Sequence, residues 1–426
     1  MLWRPRGRQL RVLEFRDFRL LLADRLIAPA AFAFSLVGVS FAVLNATGST
    51  EDLSYVLAAQ IAPSLVFTLI GGVIADRIPP QRVIIAGNIM IALGDGTFGL
   101  LVLAHQARLW QMILLETLTG TGMAVFYPAS QALLPRLVPG ELLQQASALS
   151  RLAMNAAQMG GAAAAGIFVA TAGPGWALAT CGFGTLISVP LLLSIGTVPH
   201  RPQQRPGMFH ELREGWSEFR CHTWLWAIVA QYCVIMMAWY GSFQVLGPVV
   251  AKEHLGGPAA WGAITAAESV GLIGGGLTSL RLSPRRPMLF AVLIGGAMAI
   301  SPLSVAMLWP LPAICLAAFG LGVAIEMMMV QWTVILTRNI PPAKLARVFA
   351  YDALGSVMAM PAGALVAGPI AAAIGVSTTQ YGAAAAILAA SALALIPRDV
   401  RAMRAHGPAL EADRDEARPL EAALPT

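Results

Sequence analysis

Three carboxylic acids lie within long apolar stretches, where an ionisable side chain is costly unless it has a partner or a function. Glu326 lies in LGVAIEMMMVQW, Glu116 in LLETLTGTGM and Asp95 in ALGDGTFG. Low-dielectric surroundings favour the neutral form of a carboxyl group, which lets such a group load and release protons. We predict that Glu326, Glu116 and Asp95 couple protons, with Glu326 as the first candidate. A plain hydrogen bond between helices is the alternative.

A second set of side chains has the chemistry to contact a small apolar molecule. Methionine side chains are flexible and form an adaptable apolar surface, and three methionines follow Glu326 directly. Aromatic rings stack on aromatic or cationic ligands. The predicted substrate cavity consists of Arg25, Phe126, Tyr127, Trp239, Tyr240, Phe243, Met329 and Trp332. For the aromatic residues, ordinary helix packing is the alternative.

Other kinds of chemistry find no support in the sequence. Its four cysteines and six histidines show no metal-ligand spacing, and it has no GxxxxGK[ST] phosphate loop or nucleophile–base arrangement. We therefore expect no metal, no cofactor and no enzymatic activity, and we interpret the cysteines as small apolar packing residues. The net charge of +6 comes from short connections between apolar stretches, which disfavours nucleic acid as a partner.

The chain is too apolar for a soluble protein, with 57% hydrophobic and 12% charged residues. Its apolar stretches are long enough to cross a bilayer, for which about 20 residues are needed. They predict an all-α membrane protein with twelve transmembrane helices, in a lipid bilayer and as a monomer. The predicted spans are 17–43, 53–76, 82–104, 109–135, 141–172, 175–196, 222–250, 258–280, 286–308, 311–337, 343–373 and 378–397.

The basic residues alternate between the two sides of these spans. Of 28 Lys and Arg residues, only Arg108 and Lys252 fall in odd-numbered connections, and Arg25 and Arg151 fall deeper within spans. The others lie at the termini, in even-numbered connections or in the span ends that adjoin them. The positive-inside rule then predicts that both termini lie in the cytoplasm. We expect a multi-pass protein of the cytoplasmic membrane.

The two halves of the chain repeat one another, because residues 138–173 align without gaps on residues 340–375. Duplicated six-span halves are one plan of secondary transporters, with the substrate site at their interface. The predicted organisation is an N-terminal six-helix bundle at 1–196, an amphipathic cytoplasmic linker at 197–221, a C-terminal six-helix bundle at 222–397 and a disordered cytoplasmic tail at 398–426.

The loop between spans 2 and 3, GGVIADRIPPQR at 71–82, resembles the G-x-x-x-D-R-x-G-R-[KR] signature of the major facilitator superfamily. The positions Gly72, Asp76, Arg77 and Arg82 match the signature, while a Pro-Pro pair replaces its second Gly. Other stretches resemble the drug:proton antiporter branch, namely FYPASQALLPRLVP (126–139), LREGW (212–216) and RVFAYDALGSVMAMPAGALVAGP (347–369). The resemblance implies two pseudo-symmetric bundles, and a conformational latch formed by Gly72, Asp76, Arg77, Arg82 and Asp352.

Span 5 matches the antiporter signature of that branch only in part. AAQMGGAAAAG at 156–166 keeps Gly160, Gly161 and Gly166 but lacks the usual Gly-Pro pair. Small residues let helices approach closely, so we predict that span 5 packs against the glycine run of span 8 at 271–276.

These observations predict a secondary transporter that exports a moderately lipophilic, drug-like small molecule in exchange for protons, by alternating access. A dedicated exporter of a siderophore or secondary metabolite is the alternative within transport. A membrane sensor on the same scaffold is the alternative from another class, and ligand binding without turnover would distinguish it.

Overall fold

The computed structural model describes residues 11–196, 223–279, 281–282, 284–340 and 342–402. Within these ranges the chain is helical and forms no β-strand. For some of these residues only the backbone is described, namely 68–77, 127, 223, 338, 342–354, 356, 357 and 402. We number the helices in chain order, so that α1 to α12 correspond to predicted spans 1 to 12.

The first half contains six long helices. These are α1 Arg16–Thr47, α2 Thr50–Arg77, α3 Pro80–Leu103, α4 Leu109–Leu133, α5 Leu143–Ala172 and α6 Pro174–Leu193. Gly48 ends α1 with a φ of +68°, a conformation that glycine adopts without steric cost. Proline occupies the first position of α3 and of α6, where its missing N–H leaves no hydrogen bond unmade.

The second half contains six further long helices and a short one. Helix α7 comprises Thr223–Trp239, a π-helical turn at Tyr240–Val245, and Leu246–His254. Helix α9 comprises Pro287–Ala297 and Ile300–Ala306. The others are α8 Pro258–Ser279, α10 Leu311–Asn339, α11 Pro342–Ile374, α12 Val376–Ala394 and α13 Arg398–Ala402.

The predicted fold class is confirmed, since each of the twelve predicted spans contains one long helix. Seven helices of the described chain are long and apolar enough to cross a membrane by length and composition alone. The predicted linker at 197–221 lies outside the described residues. The predicted tail begins with the helix α13 instead of disorder, and its residues from 403 onward lie outside the description.

The helices pack as two bundles with matching neighbours. In the first half α1 packs on α5 and α6, α3 packs on α4 and α6, and α2 packs on α4. Each pair has its counterpart six helices later, such as α7 with α11 and α12, and α8 with α10. The repeat in the sequence extends to the backbone: Gly173 and Gly375 have φ values of +92° and +89° at equivalent turns.

The two bundles contact each other mainly through α2 with α11 and through α5 with α8. These contacts are close at the face that carries the odd-numbered connections, which we call the far face because it is opposite the termini. A Cβ atom on Gly166 of α5 would lie 2.6 Å from the Cα atom of Gly262 of α8. A Cβ atom on Gly368 of α11 would lie 2.7 Å from the carbonyl oxygen of Thr50 of α2. The far face is therefore closed by glycine-mediated backbone contact.

One hydrogen bond joins the bundles at the same face. Lys252, near the end of α7, donates from Nζ to the carbonyl oxygen of Leu44 in α1 at 2.7 Å. This hydrogen bond lies on the same face as the glycine contacts and adds to the contact between the bundles.

The predicted contact between spans 5 and 8 forms through Gly166, but its partner in α8 lies outside the predicted glycine run. Gly166 meets Gly262, whereas Gly271 and Gly275 in the glycine run of α8 pack against α10. Gly161 packs against α1, and an added Cβ on Gly160 would meet nothing within 4 Å. The prediction that the run at 271–276 faces span 5 is therefore wrong, because that part of α8 is turned toward its own bundle.

Substituting Gly166→Trp should prevent closure of the far face, because no side chain fits between α5 and α8 at that point. We expect a longer distance between spin labels at Thr171 and Glu253, measured by pulsed electron paramagnetic resonance. The matched control on the same helix is Gly160→Trp, which faces open space. An unchanged distance in Gly166→Trp, or an equal increase in Gly160→Trp, would show that this contact does not close the face.

Candidate functional site

Two of the predicted proton carriers are neighbours in the core of the first bundle. Asp95 of α3 and Glu116 of α4 are both fully buried, and their carboxyl groups are close enough to interact directly. Glycines make this approach possible. A Cβ atom on Gly94 would lie 2.8 Å from the carbonyl oxygen of Leu115, and one on Gly120 would overlap the backbone of Gln60 in α2.

Neutral donors surround this carboxyl pair. Thr119 donates its hydroxyl to Asp95 Oδ1 at 3.2 Å, and Cys181 of α6 donates its thiol to Asp95 Oδ2 at 3.0 Å. Gln60 donates from Nε2 to Glu116 Oε2 at 2.7 Å. Glu116 Oε1 has no hydrogen-bond partner in the described part of the chain. Among the residues described, no cationic side chain forms an ion pair with either acid.

Cys181 was expected to be a small apolar packing residue, and it does pack in a buried cluster with Ala31 and Ile91. The expectation missed that its thiol also donates to Asp95. Neither this thiol nor Gln60 was singled out from the sequence. Gln60 was detectable in principle, as an amide within an apolar span, but only the fold shows that it faces Glu116.

Tyr240 connects the second bundle to this pair. It lies in the π-helical turn of α7, is 8% exposed, and belongs to a hydrophobic cluster that also contains side chains of α1, α2 and α4 of the first bundle. Its phenol is near enough to Glu116 to interact with it electrostatically. A π-helical turn inserts an extra residue into a helix and is often found at functional sites.

The predicted aromatic residues of α7 form one connected group. The Trp239 ring is stacked on Phe243 at 6.4 Å between centroids and meets Tyr240 edge-on at 6.0 Å. Phe243 in turn contacts Trp261 of α8 at 4.9 Å. The carboxyl group of Glu268, also on α8 and 9% exposed, lies beside the Trp239 indole. Of this group only Trp239 is partly exposed.

The other predicted cavity residues are dispersed. Phe126 is half-buried against Gly87 of α3. Trp332 packs edge-on against Trp224 at 6.2 Å, while Met329 is 46% exposed. The side chain of Tyr127 lies outside the description. The structure thus brings together only the α7 residues of the predicted set.

Arg25 is buried between helices of the first bundle. Its guanidinium donates from Nη2 to the carbonyl oxygen of Ser130 in α4 at 2.9 Å, and from Nη1 to Met154 Sδ in α5 at 3.4 Å. It joins α1 to both helices, a contact that suits the planar, multiply donating guanidinium.

Glu326 lies apart from the carboxyl pair, in α10 of the second bundle. It is half-buried, and it packs against α8, where a Cβ atom on Gly275 would lie 3.0 Å from Glu326 Cβ. It is therefore in the other half of the molecule from Asp95 and Glu116, and the three predicted proton carriers do not form a single cluster.

The predicted latch is described only in part. Gly72, Asp76 and Arg77 form the last turns of α2, and Asp352 lies in α11, but the side chains of these residues are outside the description. Arg82 is exposed in the first turn of α3. The latch remains a prediction.

Comparisons with known proteins agree with this architecture. The family model of the Major Facilitator Superfamily matches residues 26–301, more than half of the chain. The Enterobactin exporter EntS of Escherichia coli O1:K1 / APEC is 28% identical over 334 residues, which cover 78% of this chain and 79% of that protein. EntS of Shigella boydii serotype 18 shows the same identity and coverage.

Solved structures show the same fold. The nucleoside transporter NupG superposes with a TM-score of 0.75 at 10% identity, covering 89% of this chain and 99% of that one. A bacterial homologue of the iron transporter ferroportin, in an inward-facing state, superposes with a TM-score of 0.70 at 16% identity. The match covers 89% of this chain and 98% of that one. At these identities the likeness concerns the fold alone. With the family model, the two-bundle fold and the apolar helices in agreement, this chain belongs to the major facilitator superfamily and is a multi-pass membrane transporter, not an enzyme.

Proposed function

We propose that this transporter exports an organic small molecule across the cytoplasmic membrane in exchange for protons. The observation that carries the proposal is the contact between Asp95 and Glu116, both buried and both without a cationic partner among the described residues. Two carboxylates that share a solvent-free site do not both carry charge. At least one of the pair therefore holds a proton in the conformation with the far face closed.

The donors around the pair support an unequal division of roles. Asp95 accepts two hydrogen bonds, which stabilise its ionised form, whereas one oxygen of Glu116 lacks a partner. We therefore assign the exchangeable proton to Glu116. In this proposal the pair takes precedence over Glu326, which is only half-buried and lies in the other bundle.

Tyr240 supplies a route from the proton to the conformational change. The phenol belongs to the second bundle, yet it is near Glu116 of the first. Ionisation of Glu116 changes the electrostatic energy of this contact between bundles, and a change in interface energy shifts the balance between conformations. With both termini in the cytoplasm, as the charge distribution predicts, the far face is extracellular and the structure corresponds to an inward-facing state.

The class of substrate has two candidates. The aromatic group around Trp239 favours a lipophilic, ring-containing molecule, in agreement with a drug-like cargo. The relatives named Enterobactin exporter favour the alternative, a dedicated exporter of a siderophore or secondary metabolite. Transport as a monomer is part of the proposal, because one chain supplies both bundles.

The substitution Glu116→Gln should abolish proton-driven flux while sparing the fold. Glutamine keeps the shape of the side chain and can bond to Gln60, but it cannot release a proton. In proteoliposomes with an imposed pH gradient, we expect at least a tenfold loss of net transport of ethidium or enterobactin, with exchange at zero gradient retained.

The matched control is Glu141→Gln, an exposed acid in the 3-10 turn before α5. It should transport like the unsubstituted protein. Gradient-driven flux that survives in Glu116→Gln contradicts the assigned role. Transport of enterobactin alone selects the dedicated exporter, transport of both compounds selects the broad exporter, and binding without any turnover selects the sensor.

The substitution Tyr240→Phe tests the contact between the bundles. It removes only the phenolic hydroxyl and keeps the ring in its hydrophobic cluster. We expect a fall of about tenfold in gradient-driven flux, with substrate affinity unchanged within about twofold. Tyr232→Phe, on the same helix, is the control. Equal loss in both variants would mean that Tyr240 has no special part in coupling.

A further inference from the structure

A second buried acid, Asp24, lies in a polar cluster that the proposed proton chemistry does not use. It sits on α1 opposite Asn88 of α3 and Ser188 of α6, and all three side chains are fully buried. Asn88 lies seven residues before Asp95, two helical turns or about 10 Å along α3. The cluster is therefore separate from the carboxyl pair and nearer the face that carries the termini.

Three oxygen atoms of this cluster lack protein partners. Asn88 donates from Nδ2 to Asp24 Oδ1 at 3.3 Å, and this is a long hydrogen bond. The Ser188 hydroxyl is next to the Asp24 carboxyl group. Asp24 Oδ2, Asn88 Oδ1 and Ser188 Oγ nevertheless have no hydrogen-bond partner among the residues that the structure describes. Buried oxygens of this kind are costly unless something binds them.

The donor set defines what would bind. A carboxylate, an amide carbonyl and a hydroxyl are hard oxygen ligands, which suit alkali and alkaline-earth cations and not soft metals. The set supplies one carboxylate, whose single charge matches that of a monovalent cation and not that of a divalent one.

The neighbouring Arg25 does not occupy the cluster. Its guanidinium donates to the Ser130 carbonyl oxygen in α4 and to Met154 Sδ in α5. The Asp24 carboxyl group thus remains available to a ligand.

We propose that Asp24, Asn88 and Ser188 bind a monovalent inorganic cation between α1, α3 and α6. Backbone carbonyls and water complete its coordination. The bound ion cross-links three helices of the first bundle, so the bundle is more stable in its presence. This site is independent of the Asp95–Glu116 pair and of the proposed proton exchange.

Thermal unfolding of the purified full-length protein tests the site. Melting would be followed against increasing NaCl, LiCl, KCl and CaCl2, with choline chloride holding ionic strength constant. We expect at least one alkali cation to raise the melting temperature in a saturable manner. Ser188→Ala should raise the half-saturating concentration at least tenfold, and Asp24→Asn should abolish the response.

Asp17→Asn is the matched control, since it removes an acid from the first turn of the same helix and should keep the full response. If Asp24→Asn is too unstable to purify, Ser188→Ala alone decides the outcome. Equal melting in every salt, choline included, would mean that water fills the cluster and would overturn the proposal. A response to Ca²⁺ alone, or an unaltered Na⁺ response in Ser188→Ala, would also overturn it.

Discussion

The contact between Asp95 and Glu116 constrains the whole first bundle. Two acids are placed side by side at membrane depth, with a threonine, a cysteine and a glutamine as donors among the described residues. Close packing of α2, α3 and α4 makes the contact possible, and it depends on Gly94 and Gly120. A larger residue at either glycine would separate the helices and with them the two acids. The same glycines therefore determine the packing and the chemistry.

The two bundles share a fold but differ in what they contain. Equivalent helices pack in equivalent pairs, and the turns at Gly173 and Gly375 have the same conformation. The interacting acids lie in the first bundle, whereas the connected aromatic group lies in the second. In the proposed mechanism this difference matters, because a proton bound in one bundle acts on a phenol of the other while the far face is closed.

The sequence was sufficient for the architecture. Apolar length and alternating charge determined twelve helices, because the bilayer imposes both patterns on a chain independently of packing detail. It was insufficient for the site. Which face of a helix meets which neighbour decides that Gln60 reaches Glu116 and that Gly262, not the run at 271–276, meets α5. The rotation of a helix about its axis is set by tertiary packing, and a nearly uniform apolar helix carries little record of it. Glu326 ranked first for the same reason, since its central position was visible in the sequence and its partial exposure was not.

We propose that the Asp95–Glu116 pair holds a proton at neutral pH. Infrared spectroscopy of the protein in a detergent without ester groups measures this directly, through the carbonyl band that a protonated carboxyl group gives and a carboxylate does not. We expect such a band at pH 7, a weaker band in Glu116→Gln, and an unchanged band in Glu141→Gln. A spectrum without this band at pH 7, or one that Glu116→Gln leaves unchanged, would show that Glu116 holds no proton.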